Sequence, residues 1–353
     1  MKTEIKINDK LLQNLEKNNI VKFTQIQEQA IPLILDKQQV LGIAQTGTGK
    51  TLAFCLPLIN NLMEEPASDF PRILIIAPTR DLAMQIFETV KTYIRGTNLG
   101  AKLFIGGRSV DRDIKICKND KFDIVVANPG RLMDLSIKRK ILKLNNIEGI
   151  VLDEADQMLD MGFLPDIRKI YRVAISGKVK QSLMFSATMP KDIIKLAEEF
   201  LDGKYQIIKV DPEFNVFENM MQTAIVIKPK QRIDTLIAIV EKYRNSQAII
   251  FTRTRREAKN LEGIFSSLKI SATSIHSDKS QSQRANIIEK FKKGLLHFLI
   301  ATDVMARGID IKNLPLVINY NLPDSNENYI HRIGRTARAG AKGIAVTIVS
   351  HAE

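Results

Sequence analysis

The fold is decided by the stretch VLGIAQTGTGKT, residues 40–51, in which a short apolar run leads into a segment rich in glycine. The run Val40–Ala44 predicts a buried strand, and the spacing that begins at Leu52 predicts a helix directly after the loop. Gly47 and Gly49 let backbone N–H groups approach an anion closely, and a helix N-terminus adds positive potential at the same place. We therefore predict a phosphate-binding loop at a strand-to-helix turn.

The residues of this loop have distinct predicted tasks. Lys50, which we predict to be catalytic, would reach the β- and γ-phosphates of a nucleotide, and the Thr51 hydroxyl would ligate Mg²⁺. The usual first glycine of such loops is Ala44 here, so the strict pattern is relaxed. The predicted nucleotide contacts are Ala44, Gln45, Thr46, Gly47, Thr48, Gly49, Lys50 and Thr51.

Acidic residues follow a second apolar run and complete the predicted site. The run Ile150–Leu152 leads into Asp153-Glu154-Ala155-Asp156, and α/β proteins bind ligands at the carboxyl ends of their strands. We predict that Asp153 holds Mg²⁺ directly or through water, and that Glu154 orients or deprotonates the attacking water. Acids in this position often serve only as helix N-caps, but a neighbouring phosphate loop favours the catalytic interpretation.

Short apolar runs recur between amphipathic stretches along the chain. Most are continuous rather than alternating, which is typical of parallel strands that are buried on both faces. Helical spacing fills the intervals, as in Leu82–Tyr93, Ile193–Phe200 and Arg256–Leu268. The β-α-β order predicts a doubly wound α/β fold. The predicted strands are Val40–Ala44, Ile73–Ala77, Ile124–Ala127, Ile150–Asp153, Leu183–Ser186, Ala248–Thr252, Phe298–Thr302, Val317–Tyr320 and Ile344–Val349.

The pattern of runs pauses near Asp211-Pro212-Glu213, where no long apolar run fills the gap. We therefore predict two domains, 1–208 and 219–353, joined by a linker at 209–218. With 353 residues, the chain is long enough for each domain to have its own core. The last predicted strand runs almost to the final residue, which suggests that a C-terminal tail is missing.

Composition and charge restrict the class of protein. The chain is 44% hydrophobic and 26% charged, and no apolar run approaches the length of a membrane span, so we expect no membrane partner. Cys55 and Cys117 lack metal-ligand spacing, so we expect free thiols in a reducing cytoplasm. The formal charge of +13 favours a polyanionic partner such as nucleic acid.

The sequence Asp153-Glu154-Ala155-Asp156 is the name-giving motif of the DEAD-box RNA helicases, and the chain resembles this family along essentially its whole length. Within the family, the bacterial RhlE-like members are the most similar. The resemblance implies an α/β fold of two tandem RecA-like domains, each a mainly parallel sheet with helices on both faces. It also implies ATP and Mg²⁺ as cofactors and RNA as partner. The further motifs are Pro78–Leu82, Gly106-Gly107, Asn128–Arg131, Ser186–Thr188, Ile249–Thr252, Gln281–Arg284, Ala301–Asp310 and His331–Arg338.

The resemblance further implies that the chain grips the backbone of single-stranded RNA and therefore reads little sequence. Glycine lets backbone N–H groups approach phosphate, and arginine supplies charge-assisted hydrogen bonds. The residues that match the family's RNA contacts are Thr79, Arg80, Gly107, Arg108, Gly130 and Arg131 in the first domain, and Arg253, Arg284 and Thr302 in the second.

The family pattern also assigns nucleotide contacts to the second domain. It implies that Arg335 and Arg338 are catalytic arginine fingers that reach the γ-phosphate. Gly308 would allow close approach to the nucleotide, and Asp310 would hydrogen-bond its ribose. If the segment is helical, Arg332, Arg335 and Arg338 lie on one face because they are three residues apart. The residues implied to couple the two domains are Ser186, Thr188, His331 and Arg332.

The segment before Gln27 departs from the family pattern. The family usually has Gly-aromatic and later Pro-Thr, whereas Asn19-Ile20 precedes Phe23-Thr24 here. Gln27 is retained, and its amide can both donate to and accept from adenine. Ile20 replaces the aromatic residue that would stack on adenine, so stacking is lost and only apolar contact is kept. We therefore expect weaker or less selective nucleotide binding.

The predicted function is that of an ATP-dependent RNA helicase, which hydrolyses ATP, closes on single-stranded RNA, and locally unwinds short duplexes or remodels ribonucleoproteins. A non-hydrolysing ATP-dependent RNA clamp and a DNA-directed two-domain motor remain alternatives. Intact Lys50, Glu154 and Arg335 disfavour the clamp. The Gln27 element and the acidic motif favour RNA over DNA. A P-loop kinase for small molecules is a more distant third, since it would leave the arginine cluster unused.

Overall fold

The computed structural model describes residues 6–45, 47–66, 68–175, 179–210, 220–276, 278–279, 281–303, 311, 314–337 and 342–351. At residues 281, 282, 285 and 327 only the backbone is described. The chain divides into two compact units, Met1–Asp211 and Pro212–Glu353. A parallel sheet forms the centre of each unit.

Helices and strands alternate along the first unit. Its described strands are β1 (Val40–Ile43), β2 (Ile73–Ile76), β3 (Ala101–Phe104), β4 (Ile124–Ala127), β5 (Gly149–Leu152), β6 (Gln181–Ser186) and β7 (Gln206–Lys209). Its described helices are α1 (Asp9–Lys17), α2 (Gln25–Leu35), α3 (Lys50–Met63), α4 (Arg80–Tyr93), α5 (Val110–Asn119), α6 (Pro129–Leu132), α7 (Ala155–Asp160), α8 (Leu164–Ile175) and α9 (Lys191–Phe200). A π-helical segment, Met133–Lys138, continues α6.

The described strands of the first unit pair in parallel in the order β3-β4-β2-β5-β6-β1-β7. Successive side chains of a strand point to opposite faces of the sheet. Ile73 and Ile75 of β2 therefore join one hydrophobic cluster with α3 and α4, while Leu74 and Ile76 join another with α8 and α9. Helices thus cover both faces of the sheet, as predicted.

The second unit repeats this plan. Its described strands are β8 (Met220–Ile227), β9 (Ala248–Thr252), β10 (Ala272–Ile275), β11 (Phe298–Thr302), β12 (Leu316–Asn319) and β13 (Gly343–Ser350). Its described helices are a 3₁₀ turn at Pro229–Gln231, then α10 (Arg232–Lys242), α11 (Arg255–Ser267), α12 (Gln281–Lys292) and α13 (Asn326–Ile333). The strands pair in parallel in the order β10-β11-β9-β12-β13-β8, which is the order of the first six strands of the first unit. The predicted α/β class with two similar parallel sheets is confirmed.

Nine strands were predicted from continuous apolar runs, and all nine are present with ends moved by no more than two residues. The predicted helices are also present, as α4, α9 and α11. The sequence prediction missed β3, β7, β8 and β10, and each of these lies at an edge of its sheet. Edge strands are partly exposed, so they lack the apolar run that identifies a central strand.

The predicted linker begins too early. Lys209 belongs to β7, where it pairs with Ile43, and the N–H of Val210 donates to the carbonyl of Ile43 at 2.9 Å. The first unit therefore extends at least to Val210. The remainder of the predicted linker, 211–218, lies outside the described residues, so the other domain limits stay predictions.

Parallel pairing brings many of the predicted functional residues to one edge of each sheet, because the carboxyl ends of all described strands meet there. In the first unit they follow or end six different strands, at Ala44 (β1), Thr79 (β2), Gly107 (β3), Gly130 (β4), Asp153 (β5) and Ser186 (β6). In the second unit Arg253 follows β9, and Thr302 ends β11.

A buried ion pair holds the opposite edge of the first sheet together. Nη2 of Arg72, which precedes β2, lies 2.6 Å from Oδ1 of Asp123, which precedes β4. The other carboxylate oxygen accepts from the N–H of Gly100 before β3, at 2.9 Å. The carbonyl of Arg72 accepts from the N–H of Gly149 in β5, at 3.0 Å. The side chains of Arg72 and Asp123 are only 3% and 9% exposed, so a nearly dry pair joins four neighbouring strands.

We expect Asp123→Ala to lower the free energy of unfolding by about 3 kcal/mol, because it removes the nearest carboxylate from the buried Arg72 guanidinium and leaves only Glu65, whose Oε2 lies 3.8 Å from Nη1. Urea unfolding followed by circular dichroism measures the change. The matched control is Glu199→Ala, which breaks the exposed Arg168–Glu199 pair and should cost less than about 1 kcal/mol. Equal losses in the two variants would contradict the assigned role of the buried pair.

Candidate functional site

The phosphate loop occupies the turn between β1 and α3. Gly47 and Gly49 have φ angles of +90° and +99°, in the left-handed region that favours glycine. Gly49 directly precedes α3, a helix of 14 residues. A Cβ atom at Gly49 would lie 2.3 Å from Nε2 of Gln27, so a larger residue does not fit without displacing that side chain. Thr46, another predicted loop contact, lies outside the described residues.

Lys50 is buried at the first position of α3, where it is only 5% exposed. Its Nζ donates to the carbonyl of Ala44 at 2.8 Å, and the hydroxyl of Thr48 donates to the carbonyl of Gln45 at 2.8 Å. Both bonds hold the loop in a closed turn. Thr51, the predicted Mg²⁺ ligand, follows Lys50 directly and is half-buried.

Asp153 and Glu154 follow β5 and are 2% and 5% exposed. Oδ1 of Asp153 accepts from the N–H of Glu154 at 3.0 Å. Burial raises the pKa of the Asp153 carboxyl, while the charge of Lys50 and this N–H oppose the rise. Lys50 and Asp153 are thus both buried, and the charge of the Lys50 ammonium acts on the Asp153 carboxyl. The site can therefore offer a buried carboxylate and a buried cation to an incoming phosphate or metal ion.

The backbone of Glu154 adopts an uncommon conformation. Its φ is +53°, which few residues other than glycine adopt, and such strain costs about 1–3 kcal/mol. The strained turn ends β5 abruptly and starts α7 one residue later. Glu154 thus lies at the carboxyl edge of the sheet, where the phosphate loop also lies.

Asp156 has a role that the sequence analysis missed. One of its carboxylate oxygens accepts from the N–H groups of Ala187 and Thr188, at 3.2 and 3.1 Å, and from the Thr188 hydroxyl at 3.0 Å. These bonds join the acidic motif to the segment after β6 that holds the predicted coupling residues Ser186 and Thr188. Asp156 belongs to the acidic motif, but its spacing in the sequence does not indicate that it binds Thr188, which lies 32 residues further along the chain.

Gln27, predicted to recognise adenine, contacts the phosphate loop within the protein. Its Nε2 donates to the carbonyl of Gly49 at 3.0 Å, and its Oε1 accepts from the N–H of Thr24 at 3.0 Å. A carboxamide retains one further donor hydrogen and one further lone pair. Ile20 packs against the hydrophobic cluster of the first unit. Gln27, the candidate adenine contact, is therefore hydrogen-bonded directly to the phosphate loop.

The predicted RNA contacts after β2 and β3 lie side by side. Thr79 caps α4 by accepting from the N–H of Leu82 at 3.3 Å. A Cβ atom at Gly107 would lie 2.3 Å from Nη1 of Arg80, so the guanidinium packs directly on the Gly107 backbone. Gly107 has a φ of +79°, and no heavy atom lies within 4 Å of a Cβ built at Gly130.

Arg131, also predicted to contact RNA, is 8% exposed and engaged with protein groups. Its Nη1 forms a short ion pair with Oδ2 of Asp113 in α5, and its Nη2 donates to the carbonyl of Arg108 at 2.8 Å. Arg131 thus ties the loop after β4 to the loop after β3. Asp113 was not singled out from sequence, because nothing in its spacing distinguishes it from other acids in a first helical turn.

In the second unit, Arg253 and Thr302 are brought together. Thr302 pairs with Thr252 across β11 and β9, and Arg253 follows immediately. The Arg253 side chain is about half exposed, and its Nε lies 3.6 Å from Oδ1 of Asp324. Arg284 of α12 is only 9% exposed. Of the predicted RNA contacts in this unit, Arg253 therefore offers the most accessible guanidinium.

Arg332, predicted to couple the domains, binds acceptors within the second unit. It is 2% exposed, and its Nε and Nη2 donate to the two carboxylate oxygens of Asp303 at 2.6 and 2.7 Å. Its Nη1 donates to the carbonyl of Asn321 at 2.8 Å. The guanidinium also lies 5.1 Å from the centre of the Phe251 ring. His331 precedes it in α13 and is half-buried.

Arg332 and Arg335 do not share one helical face. Helix α13 ends at Ile333, with Gly334 as its C-cap, so Arg335 follows the helix. Arg335 is 5% exposed, and its carbonyl accepts from the N–H of Leu314 at 3.0 Å. The predicted contacts Gly308, Asp310 and Arg338 lie outside the described residues.

The described part of the chain contains no group of three or more His, Cys, Asp and Glu residues arranged to hold a metal ion. None of the helices in those residues is both long and apolar enough to span a membrane.

Comparisons with known proteins agree along the chain. A family model described as DEAD/DEAH box helicase matches residues 24–196, and one described as Helicase conserved C-terminal domain matches residues 231–340. The DEAD-box ATP-dependent RNA helicase CshA of Bacillus cereus is 39% identical over 350 residues, which are 99% of this chain and 65% of that protein. The chain thus spans somewhat less than two thirds of the curated relatives it matches.

Solved structures match in both sequence and fold. A DEAD box protein from the hyperthermophile Methanococcus jannaschii is 37% identical, with a TM-score of 0.55 and coverage of 99% of this chain and 93% of that chain. Dbp5 of S. cerevisiae, bound to RNA and ADP BeF3, is 29% identical, with a TM-score of 0.85 and coverage of 99% and 90%. None of these matches distinguishes the RhlE-like subtype, which stays a prediction. With the phosphate loop, the acidic motif and two matching parallel sheets in place, the chain belongs to the DEAD-box helicase family.

Proposed function

We propose that this chain binds ATP with Mg²⁺, hydrolyses it when single-stranded RNA is bound, and uses the cycle to separate short RNA duplexes or remodel ribonucleoproteins. One observation carries the proposal: the buried Lys50 follows a left-handed glycine turn, and the buried Asp153 and Glu154 follow β5 at the same edge of the parallel sheet. The names of relatives support the same function, since CshA is called an ATP-dependent RNA helicase and Dbp5 is bound to RNA.

The first unit would hold the phosphates. Gly47 and Gly49 let backbone N–H groups point at phosphate oxygens, and the N-terminus of α3 adds positive potential. Lys50 would move its hydrogen bonds from the Ala44 carbonyl to the β- and γ-phosphates. This exchange keeps the buried ammonium compensated in both states.

The donor chemistry fits Mg²⁺. This ion prefers hard oxygen ligands and usually takes only one or two from the protein, completing its shell with water and phosphate. Asp153 and Thr51 supply such oxygens, and bound Mg²⁺ would neutralise phosphate charge. Glu154 would orient or deprotonate the attacking water from its position next to Asp153.

The second unit would complete the reaction. Arg335 and Arg338 are the proposed fingers for the γ-phosphate, and such arginines contribute about 10³–10⁵ in rate in related phosphoryl transfers. Because the groups needed for hydrolysis are divided between the units, a strand that binds both would favour the competent arrangement through its differential affinity. RNA would act as that ligand through Arg80 and Arg253.

We also propose that the protein works in the cytoplasm. Cys55 and Cys117 are both free thiols, which is consistent with a reducing compartment. Burial raises the pKa of each thiol, that of Cys117 to about 12, so neither is a reactive thiolate. The two cysteines therefore fit structural rather than redox roles.

The proposal predicts that purified protein hydrolyses ATP faster when single-stranded RNA is added, and that Glu154→Gln lowers turnover by about 100-fold or more. A carboxamide cannot accept the proton of the attacking water, whereas its size preserves binding of ATP and RNA. Phosphate release measures turnover, and fluorescence anisotropy measures RNA binding. The control Glu199→Gln alters an exposed carboxylate and should match the unmodified protein. Undiminished turnover in Glu154→Gln would reject the role of this residue.

A second prediction concerns the choice of nucleotide. Because Ile20 cannot stack on adenine, we expect the affinities for ATP and GTP to differ by less than about tenfold. Ile20→Phe should tighten ATP binding by about fivefold or more, since stacking on an aromatic ring contributes about 1–3 kcal/mol. The neighbouring Val21 is 98% exposed, so Val21→Phe serves as the matched control and should have no effect. Strong ATP preference in the unmodified protein would contradict the expectation.

A further inference from the structure

Asn321 lies two residues after β12. It has no role in the proposed function, yet it contacts two segments that do, the loop after β9 and helix α13. It is 5% exposed. Its Oδ1 accepts from the backbone N–H of Arg253 at 2.9 Å, and its Nδ2 donates to Oε1 of Glu257 at 3.1 Å. Its carbonyl accepts from Nη1 of Arg332 at 2.8 Å. One buried residue thus touches both the loop after β9 and the arginine motif in α13.

The contact with Glu257 extends the reach of Asn321 along the loop. Oε2 of Glu257 accepts from the N–H and the hydroxyl of Thr254, at 2.9 and 3.1 Å. Together these bonds form a capping box at the N-terminus of α11. Asn321 and Glu257 therefore fix two consecutive backbone positions, 253 and 254, in the loop that carries the proposed RNA contact.

On its other side, the network reaches Arg332 and Asp303. The guanidinium of Arg332 is held by both carboxylate oxygens of Asp303 and by the carbonyl of Asn321. Asp303 directly follows Thr302, another proposed RNA contact. A displacement of the Arg253 loop would therefore be passed to Arg332 through one buried amide, because each link is a short hydrogen bond.

We propose that Asn321 is a positioning residue that connects the RNA-contacting loop of the second unit to its arginine motif. This inference rests on the proposed function. The site needs an acceptor toward the Arg253 N–H and a donor toward the Glu257 carboxylate, and a carboxamide supplies both. Aspartate would place two carboxylates next to each other, and alanine would leave a buried N–H without its acceptor.

The pair Asn321 and Glu257 permits an exchange experiment. Asn321→Asp creates two facing carboxylates, and Glu257→Gln, with its oxygen kept on Thr254, creates two facing amide donors. The double variant Asn321→Asp with Glu257→Gln restores every bond, because glutamine then donates to aspartate and still accepts from the Thr254 N–H. Because the restored bonds also restore stability, RNA stimulation is compared with thermal unfolding in every variant.

We expect each single variant to raise the RNA concentration that gives half-maximal ATPase stimulation by about fivefold or more, and the double variant to return within about twofold. The assay uses the full chain with a single-stranded oligoribonucleotide, and thermal unfolding is recorded for every variant. Asn321→Ala, which removes both bonds without adding charge, should resemble the single variants. If Asn321→Asp does not fold, Asn321→Ala still shows whether loss of the two hydrogen bonds raises the RNA requirement.

Asn60 provides a matched control in the first unit. It is 2% exposed, its Oδ1 accepts from the N–H of Asn8 at 2.8 Å, and its Nδ2 donates to Oε1 of Glu64 at 3.5 Å. Asn60→Asp therefore makes the same chemical change beside a glutamate, about 15 Å along α3 from Lys50. It should lower the unfolding temperature without changing the RNA concentration for half-maximal stimulation.

The outcomes separate this inference from the function on which it rests. If the unmodified protein shows no stimulation by RNA, the proposed function fails, and this inference fails with it. If stimulation is present but Asn321→Asp and Asn321→Ala match the unmodified protein, only the role of Asn321 is overturned. A double variant that folds but keeps a raised RNA requirement also overturns it.

Discussion

The buried ammonium group of Lys50 is the constraint on which the first unit depends. A charge in a dry environment is tolerated only when nearby groups compensate it, and here the Ala44 carbonyl accepts a hydrogen bond from the ammonium. Burial raises the pKa of the Asp153 carboxyl, and the charge of Lys50 opposes that rise. A phosphate with a metal ion would satisfy both, which gives the site a physical reason to bind them together.

Parallel sheet topology delivers the other groups to that place. Because all the described strands run in one direction, loops distant in sequence end at one edge, and the acidic motif lies near the phosphate loop although about 100 residues separate them. The opposite edge carries the Arg72–Asp123 pair, which joins four strands. The buried ion pair that stabilises the first sheet and the residues of the candidate site thus lie at opposite edges of that sheet. The second unit repeats the strand order and places a polar network, from Arg253 through Asn321 to Arg332, at the corresponding edge.

The central strands could be predicted from the sequence because burial on both faces requires continuous apolar runs. Edge strands are partly exposed, so polar residues interrupt their apolar runs. In β8, Met221 and Val226 are 65% and 59% exposed, and polar residues lie between them. Motif residues lie on loops, at strand ends and in helices, and their hydrogen-bond partners were not foreseen. The ion-pair partners of Arg131 and Arg332 lie 18 and 29 residues away and have no distinctive spacing. The end of α13 was foreseeable, since glycine after a helical pattern is a stop signal, and Gly334 stands there.

Lys50 is the cation that we propose holds the phosphates, and calorimetric titration of a non-hydrolysable ATP analogue with Mg²⁺ tests this role most directly. Lys50→Met keeps the length of the side chain and its burial but removes the charge. We expect the affinity to fall by about 10- to 100-fold, as befits loss of a charge-assisted hydrogen bond, while Lys37→Met at an exposed site leaves it unchanged. An unchanged affinity in folded Lys50→Met protein would contradict the central claim.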